Sequence, residues 1–243
     1  MKKNIKWCIT DDLSNIETKY LVNELPSFFG NSGDFSKNAI LNWRFDNITD
    51  IETQFVNMGS GYLETAIMLL EKCIDDNRNK KADVWISPIL HNTVHGIELY
   101  LKAFNSLYNT YLGLSDNNEI KEGKIIGRHD LKQLCQKYIS LVKKTSGKNL
   151  RDGLLVDFLF VEKFIKILYA KTSGMTFARY PVNSKKEKHF YAETSENVEI
   201  NLYALLQWIL RIFMIFDSIT TCIDVQIDEM KDYLYQTQIE GYP

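Results

Sequence analysis

Apolar residues along most of this chain recur every three or four positions between short polar stretches, and that period predicts helices. From about Gln54 to Asp76 the residues Phe55, Met58, Tyr62, Ala66, Leu69, Leu70 and Cys73 form one stripe, and the polar run "DDNRNKKAD" ends it. Within that helix pattern the "GSG" at Gly59 to Gly61 reads as a close helix contact. A second helix is expected from about Ser87 to Tyr111, with Pro88 in its first turn, where a missing N–H has no helical partner to lose. The Asn- and Gly-containing run "GLSDNNEIKEGK" closes it. A third helix begins in "GRHDLKQLCQKYISLVKK", with Asp130 as N-cap and Leu131, Leu134, Tyr138 and Leu141 turned inward. A fourth runs from about Asp152 to Ala170. After it, "SGMTFARYPVNSKKEKHFYAETSEN" sets two β-prone runs around a polar turn, the pattern of a hairpin or an ordered loop. The last helix, from about Glu199 through Thr221, is apolar over most of its circumference and is expected to be central, with a helical tail reaching Tyr235. Residues 1 to about 54 mix turn formers with isolated aromatics and read as an N-terminal extension to a helical domain of residues 55–243. The expected class is mainly α.

Composition narrows this picture without changing it. The chain has 243 residues, 45% hydrophobic and 25% charged, a balance that buries a substantial core in a soluble globular protein. Cys8, Cys73, Cys135 and Cys222 stand far apart with no CxxC pair, so neither a zinc knuckle nor a disulfide framework is suggested, and a reducing cytoplasm is the natural compartment. The start "MKKNIKWCITDDLSN" has the basic residues of a signal peptide but not its continuous apolar region, and reads as mature protein. The window Leu202 to Ile219 approaches membrane-span length, yet it carries Gln207, Arg211 and Asp217, each costly in hydrocarbon, so a core helix is expected and no membrane. A net charge of −2 argues against indiscriminate coating of nucleic acid. Between Lys121 and Arg151, however, nine Lys or Arg face two acids, Glu122 and Asp130. That segment is either a solvated basic face or a phosphate-facing surface.

The densest chemistry lies in "ILHNTVHGIELYLKAF". On a helical wheel His91, His95, Glu98 and Lys102 fall in a strip about 60° wide, while Val94, Ile97, Tyr100, Leu101, Phe104 and Tyr108 take the remaining arc and point to a core. Three readings compete. The first is a solvated stripe with a Glu98 to Lys102 pair. The second is a metal site on His91, His95 and Glu98, although no HExxH motif or second ExxH helix accompanies it. The third is an acid-base or phosphate-handling site, in which a histidine moves a proton while cations stabilise phosphate. Cleavage of RNA by its own 2′-hydroxyl needs those parts and no metal or cofactor, and His129 in "GRHDL" with Arg179 in "FARYP" adds candidates from separate elements. No phosphate loop, dinucleotide fingerprint, nucleophile elbow or kinase set occurs.

The succession "GYLETAIMLLEKC", "ADVWISPILHNTVHGIELYLKAF", "GRHDLKQL" and "FARYPVN" resembles the HEPN-like (higher eukaryotes and prokaryotes nucleotide-binding) group of bacterial helical proteins. The similarity covers roughly Phe55 to Leu210 and rests on the order of short motifs. It implies a bundle of four or five helices, often a homodimer. Many such proteins are metal-independent ribonucleases of toxin, antiviral defence or abortive-infection systems, paired with an antitoxin or another defence-system protein. Others are noncatalytic partners of nucleotidyltransferases. Under the resemblance, His95, Glu98, His129 and Arg179 are the candidate catalytic residues, with Lys102 and Arg128 binding phosphate.

One departure stands out. The ribonuclease members carry an Arg followed by four to six residues and a His, and none of Arg44, Arg78, Arg128, Arg151, Arg179 and Arg211 precedes a His at that interval. Arg128 abuts His129 directly, and Val94 stands before His95 where Arg is frequent.

Overall fold

The computed structural model describes residues 29, 33–39, 50–115, 129–145, 148–170, 172, 178–179, 185–186 and 198–240. The chain divides into two compact units, Met1–Trp43 and Arg44–Pro243. The described part of the first contains one short 3-10 helix, Phe35–Lys37. It is fastened by Asp34, whose carboxylate accepts from the backbone N–H and hydroxyl of Ser36.

The second unit holds five α-helices among its described residues: α1 (Ile51–Asp75), α2 (Ala82–Ser115), α3 (Leu131–Val142), α4 (Lys148–Tyr169) and α5 (Leu202–Glu240). The mainly helical class is therefore correct, and no described residue lies in a strand. The expected hairpin falls on residues 173–197, almost all of which lie outside the described residues.

Helix boundaries differ from expectation for local reasons. The α1 helix starts at Ile51 because Asp50 caps it, its carboxylate accepting from the Thr53 N–H at 2.7 Å. Its buried line is Gly59, Leu63, Ala66, Leu70 and Cys73. The expected stripe shares Ala66, Leu70 and Cys73 with this line, while Phe55, Tyr62 and Leu69 are only partly buried and Met58 is exposed. The α2 helix begins several residues before Ser87, where the Asn77 side chain accepts from the Ala82 N–H. Pro88 therefore sits inside the helix and not in its first turn. The helix continues through it, since Pro88 and Val84, whose carbonyl loses its partner, are both exposed. The α3 helix follows the sequence reading closely. Asp130 caps it by accepting from the N–H groups of Lys132 and Gln133, and Leu131, Leu134, Tyr138 and Leu141 are all buried.

Close approach of α1 and α2 is made by two glycines. A methyl group on Gly96 would meet Leu63 Cγ at 2.8 Å and the Gly59 carbonyl at 3.0 Å, and one on Gly59 would meet the Tyr100 ring at 2.8 Å. Gly61 faces open space, so the contact foreseen for "GSG" belongs to Gly59 alone.

The core sits around α2, which packs against α1, α3 and α5. From Gly96 to Asn105 every residue of α2 is buried. Aromatic rings connect four helices: Phe104 touches Phe216 of α5 and Tyr138 of α3, and Tyr138 touches Phe158 of α4. Asn105 joins α2 to α3 by donating to the Leu134 carbonyl at 3.0 Å.

The α5 helix is a single rod of 39 residues that extends past the expected tail. Leu205, Ile209, Ile212, Phe216, Ile219, Ile223 and Ile227 form its buried line. Expected to be central, it packs on α1, α2 and α4 along that line, while Tyr203, Leu210 and Met214 on its other side are exposed. By length and composition Leu202–Thr237 is apolar enough to cross a membrane, and a third of its most apolar window is buried in the bundle.

Candidate functional site

The 3.6-residue period of α2 carries His91, His95, Glu98 and Lys102 along one face, and tertiary packing then treats them differently. Glu98 and Lys102 are buried, at 4% and 6% exposure, whereas His91 and His95 are half-buried. The strip is thus a line that begins at the surface and ends in the core.

Glu98 is its node. One carboxylate oxygen, Oε1, accepts from Lys102 Nζ at 2.7 Å and lies 2.8 Å from His129 Nδ1, which arrives from the residue just before the α3 cap. The other, Oε2, stands 3.8 Å from His95 Nδ1. Burial by itself would raise the Glu98 pKa, but its contacts with His95, Lys102 and His129 outweigh it and hold the carboxyl down to about 2. Glu98 is therefore an anion at every ordinary pH.

Lys102 is placed differently from the sequence expectation of a phosphate grip. Its ammonium points at Glu98 and its side chain is only 7% exposed, so it does not face solvent. His129 reaches the same carboxylate but keeps 70% of its side chain exposed, leaving the far edge of its ring open. Arg128 lies outside the described residues.

His95 is held from two sides. Its ring lies edge-on to Tyr62 of α1 with centroids 4.5 Å apart, and parallel to His91 with centroids 5.8 Å apart. The close α1 to α2 crossing at Gly59 and Gly96 is what brings Tyr62 within reach. Arg179 is exposed, follows the buried Ala178, and lies close enough for its charge to act on His91. Burial first, then the charges of Arg179 and His95, push the His91 pKa below its ordinary value, with Glu98 opposing.

No family model, curated protein or solved structure matches the chain. The chemistry of the cluster therefore rests on its own geometry. Among the described residues, no group of three His, Cys, Asp or Glu side chains is arranged to hold a metal ion. What the cluster offers is a fixed buried anion, a half-open imidazole 3.8 Å from it, an exposed histidine, His129, touching it, and the charge of Arg179 acting on His91. Those parts suit proton transfer beside an anionic substrate. Of the sequence candidates, the structure brings His95, Glu98, Lys102 and His129 into one network. The participation of Tyr62 went unnoticed in the sequence. Its place in the apolar stripe of α1 hid it, and the neighbouring Gly59 was the available signal.

Proposed function

We propose that this chain is a HEPN-like, RNA-directed protein of the bacterial cytoplasm, acting as a metal-independent endoribonuclease in a defence or toxin system. The observation that carries this reading is His95, an imidazole partly open to solvent whose Nδ1 lies 3.8 Å from a buried carboxylate. In such a site His95 moves the proton and Glu98 sets the ring. The rim of His129 and Arg179 meets the phosphate. Lys102 holds Glu98 in its anionic form. The missing arginine-to-histidine spacing means that the cation comes from a separate segment, at Arg179. A homodimer and an antitoxin or other defence-system partner belong to the same reading.

Incubation of the purified protein with RNA in chelator tests it. Cleavage that survives chelator and disappears in His95→Ala, with an unchanged melting midpoint, is the expected result. Light scattering reports the dimer.

The second reading is a noncatalytic interaction module, partnering another protein such as a nucleotidyltransferase. It is favoured by the Lys102–Glu98–His129 contacts, which tie α2 to the start of α3 as a structural network would. No cleavage of any RNA class, together with a large stability loss in Glu98→Ala, is its signature.

A further inference from the structure

Cleavage of RNA by its own 2′-hydroxyl moves two protons, one off the attacking oxygen and one onto the oxygen that leaves. The site as described uses one imidazole. His91 stands one helical turn before His95 on the same face, half-buried like it, with the two rings within 8° of parallel and their centroids 5.8 Å apart. A four-residue step along an α-helix rises about 6 Å, so the rings are stacked along the axis and front the same outside space. A proton acceptor and a proton donor serving one phosphate must each approach their own oxygen to within about 3 Å, from opposite sides of phosphorus. They therefore stand roughly one phosphate group apart. The His91 to His95 spacing fits that demand.

We propose that His91 is a second catalytic residue, the base that takes the 2′-hydroxyl proton, and that His95 is the acid that protonates the 5′-oxygen. This rests on the ribonuclease reading above. The 2′-hydroxyl proton passes to His91, and the 2′-oxygen forms a bond to phosphorus. The bond from phosphorus to the 5′-oxygen breaks with its electron pair on oxygen, which takes the proton from His95. The products are a 2′,3′-cyclic phosphate and a 5′-hydroxyl, with no change of oxidation state and no further reactant.

The surroundings assign the two roles. The charged and titratable groups acting on His91 are Arg179, His95 and Glu98; burial first, then Arg179 and His95, favour the unprotonated ring of a base, with Glu98 opposing. His95 has the Glu98 Oε2 beside its Nδ1, a carboxylate placed to balance the charge of a protonated ring. Exposed Arg179, whose charge acts on His91, is the cation available to a phosphate on this face.

The test uses the full chain in chelator and two short RNAs, one with an ordinary linkage and one with sulfur in place of the bridging 5′-oxygen. A thiolate leaves without being protonated, so the sulfur substrate dispenses with the acid and still needs the base. On the ordinary RNA, His91→Gln and His95→Gln are each expected to slow cleavage by about 100-fold or more. The sulfur RNA should restore His95→Gln toward the wild-type rate and leave His91→Gln slow. The rise of rate with pH on the acid side should vanish in His91→Gln only. Melting of each variant accompanies the rates, and His91→Asn replaces His91→Gln if the latter melts early. Wild-type rate and pH profile in His91→Gln beside an inactive His95→Gln would overturn the role of His91 and leave the ribonuclease reading intact. Rescue of His91→Gln in place of His95→Gln would reverse and so overturn the assignment. A wild-type protein that cleaves neither RNA overturns both this proposal and the reading beneath it.

Discussion

Replacing Glu98 by glutamine removes the anion on which the buried Lys102 ammonium rests. Stranding one member of a buried ion pair costs about 3–5 kcal/mol, so Glu98→Gln should lower the free energy of unfolding by that order, measured by urea titration. Acid should do the same to the wild type. The Glu98 pKa falls from an ordinary 4.5 to about 2 on folding, so its contribution is fully present above pH 4.5 and is lost as pH drops toward 2. That linkage is worth on the order of 3 kcal/mol, and the stability curve of Glu98→Gln should be flatter than wild type across that window. Sequence spacing places Glu98 and Lys102 on the same azimuth as the histidines, and no more than that. Which of the four would be covered depends on the helices packed against α2, and Glu98 finds a partner in His129, 31 residues away; a helical wheel carries no information about an approaching element.

Where α1 and α2 cross, side-chain volume has the opposite sign to helix propensity. Gly96→Ala gains propensity but drives a methyl group against Leu63 and the Gly59 carbonyl, and it should cost about 1–3 kcal/mol. Gly61→Ala, on the same helix as Gly59 but facing open space, should stabilise by about 0.5–1 kcal/mol. Thermal melting of the two variants reads opposite shifts. The glycines also explain why the first half of the α1 stripe is less legible than the second. Ala66, Leu70 and Cys73 are buried as expected, but toward the N-terminus the buried line passes through Leu63 to Gly59, a residue with no side chain to mark it. By contrast the start and the inward face of α3 were legible, because its cap and its inward Leu131, Leu134, Tyr138 and Leu141 are local signals, while Cys135 and Val142 are buried beside them. Asp130→Ala should cost about 1 kcal/mol in chemical unfolding, since it also releases the Tyr169 hydroxyl of α4.

At the scale of the molecule, the count and order of the helices followed from periodicity, while the choice of centre did not. Both α2 and α5 are apolar enough for the middle, and only packing distinguishes the helix that is covered from Gly96 to Asn105 from the one that keeps Leu210 and Met214 exposed. Among the described side chains Met230 is the last of α5 packed against the core, and residues 231–237 are mostly exposed. Replacing the exposed Tyr233 and Tyr235 by serine should therefore leave unfolding in urea within about 0.5 kcal/mol of wild type. The two oxygens of Glu98 have a consequence at this scale too. Oε1 is gripped by a lysine of α2 and a histidine from the start of α3, and Oε2 faces the ring of His95 at 3.8 Å. Moving the head of α3 away would remove the His129 contact and leave Lys102 as the close partner of Oε1. The charge beside His95 is thus held jointly by two helices, and the electrostatics of one imidazole are tied to where another helix begins.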